Sequence, residues 1–121
     1  MWSYRISIGE MSQNGQPRAE VCYSGRGACK NDPSKCGVVM EGPIPTGKYR
    51  IGNAYMHDTL GPYTMNLDPL PGTDTHGRSL FRIHGDSVAH PGDASHGCLI
   101  APRSLREAIN NTNDRILEVT A

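Results

Sequence analysis

Hydrophobic and polar residues alternate at the start of the chain. In "WSYRISI", residues 2–8, every second residue is apolar, and a period of two predicts a strand with one buried face. An Asn-Gly pair at 14–15 is typical of a hairpin turn, and "AEVCYS", residues 19–24, alternates again. The pattern therefore predicts a hairpin over residues 2–24, with the apolar row of its second segment inside and Cys22 on the opposite face.

Further short strands are predicted along the rest of the chain. They are Lys48–Ile51, "YTMNL" at 63–67, "SLFRIH" at 79–84 and "RILEV" at 115–119. Residues 24–37 and 85–97 have the glycine and polar content of loops. "PRSLREAIN" predicts the one helix, with Leu105, Ala108 and Ile109 on one face and Pro102 in its first turn. Six or so strands and one helix predict a mainly β fold, a sandwich or barrel-like sheet.

Length and charge narrow the class of protein. A chain of 121 residues is the size of one domain, so we expect residues 1–121 to form a single unit. Twelve lysines and arginines balance twelve acidic residues, and no basic block indicates a nucleic-acid partner. The chain also lacks the run of about 18 apolar residues that a membrane span needs, and its first residues do not resemble a secretory signal.

The segment "FRIHGDSVAHPGDASHGCLIAPRS", residues 81–104, concentrates reactive side chains. It contains His84, His90, His96 and Cys98. A thiol attacks an acyl carbon only as the thiolate, so a catalytic cysteine needs a histidine or another positive group nearby. Gly97, directly before Cys98, permits a sharp turn that leaves backbone N–H groups free to face a developing oxyanion. The segment therefore predicts a cysteine nucleophile with a histidine base.

Two other interpretations of this segment stay open on the residues alone. A single cysteine is often a small core residue, and histidines in a polar loop are often only solvated. The three histidines and Cys98 could also supply four zinc ligands, although their spacing matches no compact zinc-binding pattern.

Several motifs resemble one known family. "IHGD" followed by "SHGC" is similar to the signature of the L,D-transpeptidase (YkuD-like) catalytic domain, and "GPIPTGKYRIG" resembles the P-x-G-x-[FY] segment of that domain. "YSGRGACKNDP" and "GRSLFRIHGD" resemble one branch of the family, the L,D-transpeptidase-like effectors exported by type VI secretion systems. The resemblance covers nearly the whole chain, from Trp2 to the helix at 103–109.

The resemblance implies a YkuD-like β-sandwich with one short helix, and an enzyme that needs no cofactor. In the family, a cysteine attacks the carbonyl on the L-centre of meso-diaminopimelate in a peptidoglycan tetrapeptide stem, and D-alanine leaves. Carried onto this chain, Cys98 is the nucleophile, His84 its base, His96 a supporting residue and Gly97 part of the oxyanion site. The acyl group then passes to water or to a D-amino acid.

The resemblance also implies substrate contacts, with two departures from the family pattern. Ser95, Asp86 and Arg103 are the expected substrate-binding residues, although an aspartate after a glycine is more often a turn former. Ile100 stands where the family often has arginine or asparagine, which leaves Arg103 to bind a substrate carboxylate. Thirteen residues separate His84 from Cys98, fewer than in many members, so we expect a shorter covering loop and a more open groove.

As an effector, the protein would be a toxin delivered without a signal peptide to the periplasm of target bacteria. Its expected partners are tetrapeptide stems and a D-amino acid acceptor, with an immunity protein and a component of the secretion system as further candidates. A peptidoglycan-binding or adaptor module without activity, and a zinc-binding module, are the alternatives. For Cys22, Cys29 and Cys36, either one internal disulfide or three reduced thiols are compatible with a free Cys98.

Overall fold

The computed structural model describes all 121 residues, Met1–Ala121, and consists mainly of β-strands. The strands are β1 (Trp2–Arg5), β2 (Glu10–Gln13), β3 (Gln16–Val21), β4 (Tyr23–Ser24), β5 (Gly47–Ile51), β6 (Tyr55–His57), β7 (Gly61–Pro69), β8 (Arg82–His84), β9 (Leu99–Ile100) and β10 (Ile116–Thr120). The helix is α1 (Arg103–Asn110), and 3₁₀ turns cover Ile6–Ile8, Gly27–Cys29 and Pro33–Lys35. The predicted mainly β class with one short helix is confirmed.

The strands are joined edge to edge in the order β3-β2-β1-β10-β5-β7-β8-β9-β4, and β6 pairs with β7 outside that path. Two neighbouring pairs are parallel: β1 with β10, and β8 with β9. The long strand β7 pairs with both β5 and β8, so it joins the two parts of the sheet. The first and last strands of the chain therefore lie side by side in the middle of one part, and the loop-rich segment 85–97 connects β8 to β9.

One hydrophobic core supports both parts of the sheet. Its 19 buried residues come from nearly every long strand and from the inner face of α1. They include Trp2, Tyr4 and Tyr49 from one part of the sheet and Met65 and Ile83 from the other. Each large apolar side chain removed from water contributes about 1.5–3 kcal/mol, so this packing supplies the stability that fixes β8 and β9 in place.

The N-terminal hairpin prediction is wrong in its pairing. The first strand ends at Arg5, because residues 6–8 form a 3₁₀ turn that closes at Gly9 in the left-handed conformation. This turn creates β2, a strand that the pattern did not predict, and β2 pairs with β1. The predicted Asn14-Gly15 turn is present, with positive φ at both residues, but it joins β2 to β3. The segment is a three-stranded meander.

The predicted faces of the third strand are also wrong. Cys22 is 1% exposed, whereas Val21 is 77% exposed and Ala19 also faces solvent. The register between β2 and β3 shifts at a bulge, and the Cys22 backbone N–H donates to the Gly9 carbonyl, which turns the thiol into the core. A period-two pattern in a strand of mixed polarity does not by itself indicate which face is buried.

The other predicted elements agree with the structure. Strands β5, β7 and β10 lie within a few residues of the predicted positions, whereas β8 covers only the second half of the predicted 79–84 and ends, as expected, at His84. The predicted helix runs from Arg103 to Asn110 with Pro102 as its N-cap, and Leu105 and Ile109 are buried. The same helix buries Arg106, which the apolar pattern did not indicate. No helix in the structure has the length and apolar character needed to cross a bilayer.

Candidate active site

Cys98 and His84 lie on the same face of two neighbouring strands. His84 is the last residue of β8, and Cys98 directly precedes β9. The parallel register places Ile83 opposite Leu99, and both of these side chains are buried in the core. Because successive residues of a strand point to opposite faces, Cys98 and His84 both point away from that core. Sequence reasoning predicted both residues, and the sheet brings them together.

The two side chains also share a cavity. Adjacent strands are about 4.8 Å apart and a strand rises about 3.3 Å per residue, so Cα atoms offset by two residues are about 8 Å apart. Both side chains line a cavity of about 250 Å³, which we call the nucleophile cavity. Its lining residues are Met40, Leu60, Ser79, Leu80, Arg82, His84, Ala94, His96 and Cys98. A substrate carbonyl in this cavity would lie within reach of the thiol and the imidazole.

One hydrogen bond determines which nitrogen of His84 is basic. Nδ1 lies 2.8 Å from the carbonyl oxygen of Gly85. A carbonyl oxygen only accepts hydrogen bonds, so Nδ1 carries the proton of the neutral ring and donates it to Gly85. Nε2 then holds the lone pair and can accept a proton. The backbone turn after β8 therefore leaves Nε2 of His84 as the nitrogen that can accept a proton.

The surroundings of His84 lower its pKa. Its side chain is only 3% exposed, and burial is the main cause of the lowered pKa because it disfavours the charged imidazolium. The bond to the Gly85 carbonyl acts in the opposite direction, while the positive charges of Arg106 and Arg82 lower the pKa further. The ring is therefore neutral at neutral pH.

The Cys98 thiol is held in its protonated form. Burial raises the pKa of this thiol, and the backbone N–H of Arg82 and the charges of Arg82 and Arg78 reverse only part of that effect. Sγ lies 3.9 Å from the carbonyl oxygen of Leu80, which it meets as a weak donor. A neutral thiol beside a neutral imidazole fits general-base activation, in which the proton moves to the histidine as the sulfur attacks.

The turn before Cys98 is held by buried serine hydroxyls. Ser95 is fully buried; its Oγ accepts the backbone N–H groups of Gly25 and Gly97 and donates to the Cys98 carbonyl at 2.7 Å. Ser24 Oγ donates to the same carbonyl at 2.9 Å. Ser95 therefore fixes the turn from inside the protein, and its contact with substrate stays a prediction.

The same bonds distinguish the two backbone N–H groups of the expected oxyanion site. The Gly97 N–H donates to Ser95 Oγ, whereas the Cys98 N–H donates to no group of the protein. Gly97 has a φ of 127°, and a Cβ at this position would collide with the guanidinium of Arg78. Glycine is therefore required here for conformation and for space. The free donor at this turn is the N–H of Cys98.

Arg78 is a component of the site that sequence reasoning missed. It is 9% exposed, and its guanidinium donates to the carbonyls of Cys36 at 2.6 Å, Pro43 at 2.8 Å, Gly42 at 2.9 Å and His96 at 3.4 Å. It thus ties the loop before β5 to the turn that carries Cys98. Its charge also lowers the pKa of the Cys98 thiol. Only the buried environment distinguishes it from a solvated arginine, and the sequence contains no signal for that.

Replacing Arg78 by methionine is expected to destabilise the fold by roughly 2–4 kcal/mol, because buried carbonyls lose their donor while the apolar volume is kept. Urea unfolding would measure the change. Arg50→Met is a matched control, since Arg50 is exposed on β5 and its loss should change the free energy of unfolding by less than about 0.5 kcal/mol. Equal unfolding midpoints for the two variants would contradict the anchoring role of Arg78.

The other histidines of the segment are placed differently. His96 is exposed and lines the nucleophile cavity; its Nδ1 lies 3.2 Å from the Met40 carbonyl. His90 is exposed in the loop and does not line the cavity; its backbone N–H donates to Ser87 Oγ. No three histidine, cysteine or acidic side chains form a group that could hold a metal ion, so the zinc-binding alternative has no ligand set in this structure.

Asp86 and Arg103 lie in a neighbouring cavity of about 310 Å³, which we call the arginine cavity. Its lining residues are Val21, Tyr23, Asp86, Ile100, Ala101, Pro102, Arg103 and Arg106. A third cavity, lined by residues 59–62 and 84–88, lies between the arginine cavity and the nucleophile cavity. It shares His84 with the nucleophile cavity and Asp86 with the arginine cavity. The three cavities together form a groove that begins at Cys98, and Asp86 and Arg103, two of the three predicted substrate-binding residues, line it, whereas Ser95 does not.

Asp86 organises the loop after His84. Its carboxylate accepts hydrogen bonds from the Tyr23 hydroxyl at 2.5 Å and from the backbone N–H groups of Ser87 and Gly92. Although partial burial acts to raise the pKa of Asp86, these bonds and the charge of Lys30 together lower it. Tyr23, which belongs to the apolar row of residues 19–24 that we expected to face inside, is only half-buried and bridges Asp86 to Ala94. The ionised carboxylate thus fixes the loop and borders the groove.

Alkylation of the native protein should label Cys98 alone. All four cysteines are free, and Cys22, Cys29 and Cys36 are 1%, 8% and 6% exposed, whereas Cys98 is partly exposed. Because the Cys98 pKa is raised, labelling should become faster as the pH rises. Intact-mass analysis after a short treatment with iodoacetamide should show one adduct, and four after unfolding. Earlier labelling of any other cysteine would be inconsistent with this site.

Comparisons with known proteins identify a family and a similar fold. The family model described as the Tlde1 domain matches residues 19–119. The NMR structure of the catalytic domain from the E. faecium L,D-transpeptidase is similar in fold, with a TM-score of 0.51 and 18% sequence identity over 98% of this chain and 95% of that chain. No curated protein matches the chain in sequence.

Proposed function

Because the chain belongs to the Tlde1 domain family, we propose that it is a peptidoglycan-modifying enzyme with Cys98 as its nucleophile. The family match and the shared fold confirm the resemblance to L,D-transpeptidase-like effectors that the motifs indicated. The observation that carries the proposed activity is the pairing of Cys98 with His84, which lie on one face of two parallel strands and line one cavity. The buried turn around Ser95 holds the cysteine in that position.

In the first half of the proposed reaction, Cys98 Sγ attacks the carbonyl carbon on the L-centre of diaminopimelate in a tetrapeptide stem. Its proton passes to Nε2 of His84, and the Cys98 N–H donates to the oxyanion that develops. The C–N bond to the terminal D-alanine then breaks, and His84 delivers the proton to the leaving amine. The products are a thioester on Cys98 and free D-alanine.

In the second half, an acceptor releases the acyl group. Water, or the amine of a D-amino acid, gives a proton to His84 Nε2 and attacks the thioester carbonyl. The C–S bond breaks and the proton returns to the sulfur. Water yields a tripeptide stem, which is the L,D-carboxypeptidase reaction, and a D-amino acid yields an exchanged tetrapeptide. Both reactions use the same acyl-enzyme, so one site supports both.

The residues around the pair have supporting roles in this proposal. Arg78 and Arg82 place positive charge near the sulfur and assist thiolate formation. His96 lines the cavity and supports the nucleophile without carrying the proton. Asp86 and Arg103 bind substrate along the groove.

The proposed biological role follows from the family. We propose that the protein is an antibacterial effector delivered by a type VI secretion system into the periplasm of a target cell. There it would remove or exchange terminal D-alanine and so deplete the donors for cross-linking of the cell wall. A neutralising immunity protein in the producing cell is the partner this role implies.

Mass analysis of muropeptides tests the activity. After incubation with the protein, tetrapeptide stems should lose D-alanine, or should gain an added D-amino acid when one is supplied. A peptidoglycan-binding module would bind the stems and leave their masses unchanged. Unchanged masses in the presence of folded protein would therefore refute the proposed activity.

A further inference from the structure

Arg106 carries a guanidinium that is buried but not fully used. Its side chain is 7% exposed; Nε donates to the Ala101 carbonyl at 2.9 Å, and Nη1 donates to the carbonyls of Pro62 at 2.9 Å and Tyr63 at 3.2 Å. Nη2 has no hydrogen-bond partner in the protein, and Arg106 is one of the residues that line the arginine cavity. No carboxylate forms an ion pair with Arg106. A buried charge without a counter-ion attracts an anion strongly.

The start of α1 adds positive potential to the same cavity. Its N-cap is Pro102, which offers no side-chain acceptor, and its first turn contains no acidic residue. The first backbone N–H groups of a helix lack partners within the helix and carry the positive end of its dipole. Both Pro102 and the following Arg103 line the arginine cavity.

Tyr63 and Gly85 help to position Arg103 and Arg106 at the arginine cavity. Tyr63 has a left-handed backbone, with a φ of 60°; its carbonyl accepts from Arg106, and its ring lies 4.4 Å from the guanidinium carbon of Arg103. A Cβ on Gly85 would lie 2.7 Å from Arg106 Nη2, so a larger residue at this position would displace that guanidinium. An oxygen of the Glu107 carboxylate lies 3.6 Å from Nε of Arg103, but both side chains are exposed, so this ion pair contributes little to the stability of the fold.

We propose that the arginine cavity is a subsite for a carboxylate of the stem peptide, bound by Arg106, Arg103 and the free N–H groups at the start of α1. This inference rests on the proposed function, since it assigns a part of the substrate to the groove that begins at Cys98. The neighbouring charges support it, because burial and the positive charge of Arg103 both lower the pKa of Arg106. A bound anion would relieve that repulsion.

The position of the cavity limits which carboxylate it can bind. Ile100 lines it and lies two residues after Cys98, about 7 Å along the strand direction. The carboxylate of the leaving D-alanine is too close to the attacked carbonyl to reach it. Two other carboxylates of the stem are far enough from the attacked carbonyl to reach the arginine cavity. They are the carboxylate on the D-centre of diaminopimelate and the α-carboxylate of the preceding D-glutamate. Asp86 lines the same cavity and favours the D-centre, because an amine stands beside that carboxylate.

Three synthetic tetrapeptide stems test the subsite: the unmodified stem, a stem amidated at the D-centre carboxylate, and a stem amidated at the D-glutamate α-carboxylate. Turnover by the wild-type protein and binding to Cys98→Ala protein, measured by calorimetry, are compared for all three. We expect one amide to lower kcat/KM and affinity by about 10- to 100-fold, mainly through KM. The amide that has this effect identifies the carboxylate.

Variants separate the subsite from general damage to the fold. In Arg103→Gln, the wild-type preference for the free carboxylate should fall several-fold, and Arg106→Gln should reduce it further if that variant folds. Arg50→Gln, which changes an exposed arginine away from the groove, should keep the wild-type preference. Equal affinity and equal turnover of all three stems by the wild-type protein would overturn the subsite. Binding that discriminates between the stems without any turnover would support the subsite and refute the proposed enzyme activity.

Discussion

Replacement of Cys98 by alanine is expected to abolish both the release of D-alanine and its exchange, with a loss of at least ~10⁴-fold in turnover. The proposed reaction passes through a thioester, and without the sulfur neither half can proceed. The side chain lies outside the core cluster and its Sγ makes only a weak contact, so the variant should fold normally. Muropeptide analysis by mass spectrometry measures the loss, and circular dichroism with thermal unfolding confirms the fold.

A matched control separates loss of the nucleophile from loss of a thiol in general. Cys29→Ala removes a buried thiol that does not line the nucleophile cavity, so its turnover should stay within a few-fold of the wild-type value. Continued conversion of tetrapeptide to tripeptide stems by Cys98→Ala would rule out the cysteine mechanism.

Replacement of His84 by alanine is expected to lower kcat/KM by roughly 10²- to 10⁴-fold, the usual contribution of a general base. The effect is large because the Cys98 pKa is raised, so the thiol depends on a base to lose its proton. His90→Ala is the control and should have little effect, since that ring does not line the cavity. His96→Ala should fall between the two. If His96→Ala abolishes turnover while His84→Ala does not, the two roles are reversed.

The pH dependence gives a second readout of His84. Because its pKa is lowered by burial, the imidazole should remain an active base below pH 6.5, and the acid limb of kcat/KM should lie below the ordinary pKa of histidine. The native state also binds this proton less readily than the unfolded chain does. The free energy of unfolding should therefore fall as the pH drops below about 6.5, with a weaker dependence in His84→Ala. An acid limb above pH 6.5 would contradict the assignment.

The pairing of Cys98 with His84 could be predicted from sequence because the signals for it are local. "IHGD" and "SHGC" place a histidine at a strand end and a cysteine after a glycine turn, and the parallel pairing of β8 with β9 brings the two together. The strands that the pattern predicted correctly have a clear apolar alternation or a turn at each end. Strands β6 and β9, which were not predicted, have only three and two residues, too few for a period to be detected.

The arginines and the face of Cys22 could not be predicted, since each depends on distant parts of the chain. Arg78 is buried because four carbonyls from two loops surround it, and Arg106 because the turn at Tyr63 folds over α1. Neither environment leaves a trace in the adjacent sequence. For Cys22, a bulge between β2 and β3 determines which residues face the core. The alternation of apolar and polar residues would look the same whichever face were buried, so the sequence pattern could not predict the direction of this side chain.

The order of strands determines when this protein can acquire its shape during synthesis. Strand β10 contains nearly the last residues of the chain, yet it lies between β1 and β5 and is paired to both. While residues 116–120 are still inside the ribosome, the chain lacks the strand that joins β1 to β5. Folding of these strands must therefore wait until residues 116–120 have left the ribosome, and closing contacts over such sequence separations is slow. Nascent chains stalled before Ile116 should be digested by protease, whereas chains in which residues 116–120 have emerged should resist.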